Sequence, residues 1–347
     1  MTSILQDLPP LDVTPGPRLA EPLPGDRPVR WGILATGKIA HAFAENLSLL
    51  PEAEIAAVAA RRPESAQEFA KKYGVPRAYG SYAELMADPD VDVVYVATPH
   101  ALHKEHVLRS FEAGKPVLCE KALTLNAADA AELVAVAREK RLFFMEAMWM
   151  RCNPVIRRLQ QLASSGALGT VLQVRADLGF LVDKPPSDRL LARELGGGAL
   201  LDMGIYPLTF AWLFLGEPNQ VQAVATMAPS GVDLNIAISL GYPSGAVASL
   251  SSTMTAWSPR TGSIATDVGR VDLGDAFHHP TSATWTAAGE SEEIRGEVIG
   301  TGLANEALEV IRCLRSGETE SPLVPLDDTV ALMRLMDTIR DRIDLVY

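Results

Sequence analysis

Three of the chain's six histidines, His100, His103 and His106, fall within seven residues, "HALHKEH". Spacings of three make neighbours on a helix, as a metal-coordinating face requires. Two such steps also sweep the direction through about 120°, which turns His106 away from whatever His100 faces. The stretch is either a ligand set or a polar segment with another task. A second candidate is "VLCEKAL", where Lys121 follows an apolar run. An ammonium there can bind a substrate hydroxyl or stabilise a developing anion, or it is a surface lysine at a strand–helix junction. A third is "ELGGGALLDMGIYP", with Asp202 and Tyr206 four residues apart and hence on one helical face. A phenol that ordinarily titrates near ~10 shuttles protons near neutrality when a cation lies alongside. A tyrosine and a carboxylate on one face are otherwise a structural pair.

The elements that must position these groups change character near Met150. Before it, short apolar runs alternate with helical stretches: "VRWGILA", a helix to Leu50, "EIAAVAA", a helix from Pro63 to Tyr73, and a short helix capped by Ser81 with Glu84. "VDVVYVATP", a helix over 102–113, "PVLCEK", a helix after Asn126 and "LFFMEA" follow. Apolar strands alternating with helices imply a parallel sheet covered on both faces. Beyond Met150 come a helix from Pro154 to Ser165, a glycine-rich turn into a helix over 196–215, and the alternating runs "TVLQVRADL", "NQVQAVATM", "LNIAISL" and "AVASLSSTM". These suit an antiparallel sheet, and helices over 303–315 and 327–343 close the chain. The expected division is therefore an arm over 1–28, a dinucleotide-binding domain over 29–150 and a substrate-binding, oligomerising α+β domain over 151–347.

The first strand–turn–helix is where a dinucleotide pyrophosphate would sit, with Ala35, Gly37 and Ala40 at the positions of the G-x-G-x-x-G/A fingerprint. Ala35, Thr36, Gly37, Lys38 and Ile39 are thus candidate cofactor residues. The end of the second strand discriminates between cofactors. An acid there would hold a ribose hydroxyl, whereas this chain has Arg61 and Arg62, whose guanidiniums fit a 2′-phosphate, or form a solvated pair.

Bulk properties narrow the classes. A net charge of -12 argues against nucleic acid or an anionic membrane as the main partner. The three cysteines, far apart, form no disulfide framework, which suits a reducing, cytoplasmic setting. No apolar run approaches the ~18 residues of a membrane span. Seven of the 24 prolines lie in residues 1–28, so the arm is disordered or laid over a neighbouring surface.

Taken together, "TPHALHKEH", "AGKPVLCEKAL", "EAMWMRCNP", "GGGALLDMGIYP" and "EALEVIRCLRSGETES" resemble the glucose–fructose oxidoreductase/inositol dehydrogenase (Gfo/Idh/MocA) family, and within it the dimeric dihydrodiol dehydrogenase-like branch. The resemblance runs from about Val29 onward. It implies a doubly wound Rossmann domain, then an α+β domain with a large, open-faced, mostly antiparallel sheet that makes subunit contacts in a homodimer or homotetramer. It implies hydride transfer between NADP(H) and a carbinol or carbonyl carbon of a cyclic polyol, sugar or trans-dihydrodiol. By that resemblance Glu120 and Lys121 match the "EKP" motif with its catalytic lysine, Asp202 the substrate-orienting aspartate, and Tyr206 the proton donor or acceptor. Trp149 and Arg151 match a segment lining the active site. Thr98, Pro99, His100 and His103 match a loop beside the cofactor, which leaves no metal for the histidines to hold. Two departures stand out: Ala35 replaces the first fingerprint glycine, and Ala122 replaces the proline of "EKP". The alternatives are a ketoreductase for nucleotide-linked ketosugars and a non-catalytic NADP sensor of the same fold.

Overall fold

The most apolar runs of the first half of the chain pair side by side rather than as hairpins, because a helix follows each. The structure, a computed structural model, describes Ile4 and residues 22–347. Most of the arm expected over 1–28 thus lies outside the described residues. Strands β1 (Val29–Leu34), β2 (Ala53–Ala59), β3 (Arg77–Tyr79), β4 (Val93–Val96), β5 (Val117–Glu120) and β6 (Phe144–Ala147) form one sheet in the order β3-β2-β1-β4-β5-β6. Every neighbouring pair is parallel. Helices α1 (Lys38–Leu47), α2 (Pro63–Tyr73), α3 (Tyr82–Ala87), α4 (His100–Glu112) and α5 (Ala127–Lys140) supply the crossovers that parallel pairing demands. Local chemistry sets their ends. Pro63 occupies the first turn of α2, the Ser81 side chain accepts the Glu84 N–H, and Asn126 accepts the Asp129 N–H. Strand β3, three residues with little apolar character, was not among the expected elements.

The chain forms two compact units. Among the described residues, one comprises 22–152 with Ile299–Val330, and the other Asn153–Val298 with Ala331–Tyr347. The division expected at residue 150 therefore omits a return of the chain to the first unit. Its cause is α9 (Leu303–Ser316), which buries Leu303, Ala307 and Val310 and packs against α1 and α6 (Trp149–Cys152).

In the second unit β7 (Val171–Gly179), β8 (Gln220–Met227), β9 (Asp233–Gly241), β10 (Val247–Thr253), β11 (Gly262–Thr266), β12 (Arg270–Leu273), β13 (Ser282–Ala287) and β14 (Glu290–Arg295) form a sheet in the order β14-β13-β12-β11-β7-β10-β9-β8. It is antiparallel except for the β7–β10 pair. In β9 and β10, Ile236, Ile238, Leu240, Ala248 and Leu250 point inward, toward α8 (Ile205–Leu215), which packs on β7 and β10. Ala237, Ser239, Val247 and Ser249 point outward on an open face. Strands β11–β14 fall in a region whose sequence pattern was too irregular to read. Helices α7 (Pro154–Ser164) and α10 (Leu326–Arg342) lie where their periodicity predicts. One expectation fails: the helical stretch Arg193–Leu215 is long and apolar enough to cross a membrane. Since 78% of its most apolar window is buried inside the protein, its hydrophobicity serves the core.

At the turn after β1, Ala35 adopts φ +80, a left-handed conformation that its Cβ opposes. This explains why glycine is usual there. Ala35→Gly removes that strain but loosens the unfolded chain, so a net gain of up to about 1 kcal/mol is expected. A rise of roughly 2 °C in melting temperature would report it; a fall would show that the alanine methyl is needed for packing.

Candidate active site

In a doubly wound sheet the strand order reverses at one point, here between β1 and β4, and a crevice opens there outside the carboxyl ends. The candidate cofactor residues lie along that edge: Ala35 to Ile39 after β1, Arg61 and Arg62 after β2, Thr98 to His103 after β4, and Glu120 and Lys121 at the end of β5. Gly37 is the N-cap of α1, and a Cβ added to it would meet nothing within 4 Å. The first turn of α1 has no side-chain cap and no acid. Free N–H groups, open space and no opposing carboxylate fit a pyrophosphate. Arg61 and Arg62 are exposed, and neither side chain has a hydrogen-bond or ion-pair partner among the described residues.

The three histidines of α4 are buried, and each is directed to protein groups. The His100 Nε2 lies 3.1 Å from the Lys121 carbonyl. On His103, Nδ1 lies 3.0 Å from the Ala122 carbonyl and Nε2 2.7 Å from that of Thr98. Burial, and then the neighbouring His100, push the His103 pKa down to about 3, against the carbonyls that favour its charge. His106 meets the Thr98 hydroxyl at 3.0 Å and stacks edge-on against Tyr82. Among the described residues, no group of three or more potential ligands is placed to hold a metal.

These contacts hold the segment that carries Lys121. Carbonyls 121 and 122 are met by His100 and His103; the Glu146 carboxylate accepts the Leu123 N–H at 3.0 Å. Side chains from α4 and β6 thus restrain a loop in which alanine stands in place of the motif's proline. Glu120, at the end of β5, accepts a short hydrogen bond from the buried Tyr95 hydroxyl. Neither Tyr95 nor Glu146 was among the expected site residues. An acid in the apolar run "LFFMEA" was the available signal for Glu146. Arg151 is buried with its charge balanced by Asp328 at 2.8 Å, and Trp149 is half-buried beside it in α6.

In the second unit, Asp202 and Tyr206 share one helical stretch, but not the continuous α-helix expected over 196–215. A short 3-10 turn over Arg193–Leu195 precedes a π-helical stretch over Leu200–Gly204, which then runs into α8. Such wide turns concentrate at functional sites. Asp202 is 9% exposed and accepts a hydrogen bond from Arg189 at 3.0 Å. The Tyr206 ring packs on His278, with centroids 4.7 Å apart. Arg189 and His278 belong to loops without a readable motif. Gly198 opens this stretch at φ +123, and a Cβ there would lie 2.3 Å from Asp233 Oδ1 and 3.0 Å from the Tyr347 hydroxyl. Asp233 Oδ2 accepts the Leu200 N–H at 2.7 Å, while its Oδ1 has no partner among the described residues. The Tyr347 hydroxyl donates to the Gly197 carbonyl at 2.6 Å.

Comparison with known proteins decides the family. Residues 29–148 match a family model described as "Oxidoreductase family, NAD-binding Rossmann fold", and residues 156–271 match the "GFO/IDH/MocA C-terminal domain". A trans-1,2-dihydrobenzene-1,2-diol dehydrogenase from Xenopus tropicalis is 38% identical over 328 residues, 92% of this chain and 99% of that protein. The chain belongs to the Gfo/Idh/MocA oxidoreductase family. The matched family model describes an NAD-binding Rossmann fold, which supports a nicotinamide cofactor at the edge described above. Among solved structures, a 3-ketoreductase from Actinomadura kijaniata in complex with NADP and TDP-benzene superposes with a TM-score of 0.81 at 28% identity, covering 91% of this chain and 98% of that one. An aldose-aldose oxidoreductase from Caulobacter crescentus complexed with glycerol gives 0.83 at 27% identity, covering 91% and 97%.

Burial raises the Asp233 pKa to about 6, against two backbone N–H groups that lower it. The folded protein therefore keeps a proton that the unfolded chain releases between about pH 4 and about pH 6. Stability from this group is present at low pH and lost as pH rises through about 6. Asp233→Asn, neutral throughout, should gain on the wild type by about 2 kcal/mol between pH 4 and pH 7. Parallel melting curves of the two proteins at both pH values measure it. A constant difference would mean that the carboxyl is ionised at low pH as well.

Proposed function

We propose that this protein is an NADP(H)-dependent dehydrogenase/reductase of CH–OH and C=O groups, acting on a cyclic polyol, sugar or trans-dihydrodiol. The observation that carries the reading is the carboxyl edge of the parallel sheet: an uncapped α1 beyond Gly37, and two guanidiniums without a partner among the described residues where an NAD enzyme would have an acid. The dihydrodiol dehydrogenase relatives and the ketoreductase and aldose oxidoreductase structures support the substrate chemistry. Bound NADP(H) supplies the hydride acceptor or donor. On the protein side, Tyr206 takes the hydroxyl proton in oxidation and returns it in reduction. Asp202, held by Arg189, orients the hydroxyl, and Lys121 is the catalytic cation. His100, His103 and Glu120 fix the loop of that lysine. Arg151, already paired with Asp328, shapes the site beside Trp149 without offering a net charge.

A second reading, a ketoreductase for a nucleotide-linked ketosugar, is favoured by Arg189. Its half-exposed guanidinium beside Asp202 suits a phosphate-bearing substrate. The outward Ala237, Ser239, Val247 and Ser249 provide a face suited to self-association as a homodimer or homotetramer, and three buried cysteines, none in a disulfide among the described residues, suit a cytoplasmic setting.

Each charge-assisted contact to a 2′-phosphate contributes roughly 1.5–3 kcal/mol. NADP should then bind at least ~10-fold more tightly than NAD, and Arg61→Ala with Arg62→Ala should abolish the preference. Calorimetry giving equal affinities for the wild type would remove the assignment.

Tyr206→Phe keeps the ring against His278 but removes the only group assigned to carry the proton. Turnover of a trans-dihydrodiol or sugar should fall by ~10²–10⁴, with NADP affinity unchanged. A normal rate with a lowered melting temperature would make the tyrosine structural. Assaying free sugars beside nucleotide-linked ketosugars separates the two substrate readings.

A further inference from the structure

Three carboxyl side chains are buried around the loop that carries Lys121: Glu120 at the end of β5, Glu146 in β6 and Glu306 in the first turn of α9. Three like charges cannot all persist there. Glu306 is 0% exposed and neither of its oxygens has a partner among the described residues. Burial, then the charges of Glu120 and Glu146, push its pKa well above the carboxylate range, so it is neutral. Glu120 is engaged by Tyr95 and by the Lys121 N–H at 3.3 Å.

Glu146 is placed differently. Its Oε1 accepts the Leu123 N–H at 3.0 Å and its Oε2 accepts the Thr329 hydroxyl at 3.1 Å. Burial raises its pKa; the Thr329 and Leu123 hydrogen bonds and the charges of Arg151 and Lys121 lower it, leaving it at about 7. The groups around it are Cys119 and Glu120 from β5, Lys121 just beyond it, Arg151 from α6, Glu306 from α9, and Thr329 from α10. Asp328 neutralises Arg151 at 2.8 Å. We propose that Glu146 is a positioning residue for Lys121, holding the lysine's loop through Leu123 and countering its ammonium with its carboxylate. This rests on the reading of Lys121 as the catalytic cation. Neutral Glu306 contributes by adding no further charge to the same pocket.

A purely structural Glu146 needs only an acceptor for Leu123, which glutamine also provides. Charge is what separates the two roles. Reductive methylation with 13C-formaldehyde labels the lysines of the full chain, and loss of one signal in Lys121→Met assigns Lys121. Its methyl shift should titrate with a midpoint near 7 in the wild type. Glu146→Gln should lose that midpoint. Thr329→Val, which takes a donor from the carboxylate and leaves the loop contact intact, should move it upward. A wild type without the midpoint, or Glu146→Gln with it unchanged, overturns the proposal. If Glu146→Gln does not fold, an unmoved midpoint in Thr329→Val overturns it instead. Turnover distinguishes the underlying reading. Undiminished turnover in Lys121→Met refutes that lysine's catalytic role while leaving the titration result standing. With that role upheld, Glu146→Gln should lose about tenfold in kcat together with the acid limb near pH 7.

Discussion

A parallel sheet delivers the carboxyl end of every strand to the same edge. In the first unit β1, β2, β4, β5 and β6 all run one way, so residues more than 100 positions apart in sequence are delivered to that one edge. Helix N-termini point there too, because each crossover helix starts where a strand ends. Binding a dinucleotide needs donors without competing acids, and α1 presents them: Gly37 adds no side chain and the first turn no carboxylate. Strand direction, more than any single residue, makes this edge the place where chemistry can occur.

Holding the loop of Lys121 is a separate problem. The Lys121–Leu123 segment leaves the sheet at its edge, and its backbone carbonyls and N–H groups would be left without partners if the loop were merely buried. His100 and His103 meet its carbonyls, and Glu120 and Glu146 its N–H groups. Histidine suits this because a ring N–H can donate to a buried carbonyl. Carboxylates suit it less well, and the price is visible in Glu306, whose pKa burial and then the charges of Glu120 and Glu146 push well above the carboxylate range.

The second unit solves its positioning problem with backbone shape. The turn before Asp202 is crowded by Asp233 and Tyr347, to a degree that excludes a side chain at Gly198. A π-helical stretch then carries Asp202 before the regular α8 begins. Asp233 caps this stretch through Leu200, and Arg189 meets Asp202 from a loop. These restraints come from three separate chain segments, and each acts on one short helical start.

Much of this was written locally in the chain. Apolar runs closed by Gly or Pro placed β1, β2, β4, β5 and β6 and their helices within a few residues, since period and capping act over short distances. Motifs of consecutive residues, such as "CEKAL" and "GGGALLDMGIYP", placed Lys121, Asp202 and Tyr206 on a strand end and a helix. Tertiary structure decided what no local pattern encodes. Strand β3 and strands β11–β14 are too short or too irregular to be periodic, and they form because neighbouring strands offer hydrogen bonds. The return of α9 to the first unit depends on apolar faces of α1 and α6 that lie far away in sequence. Arg151 meets Asp328, Glu146 meets Thr329, and Glu306 comes under the charge of Glu120 and Glu146 across 160 residues or more. Sequence spacing carries no information about such pairs, because folding, and the burial it imposes, is what brings them within range and gives their charges weight.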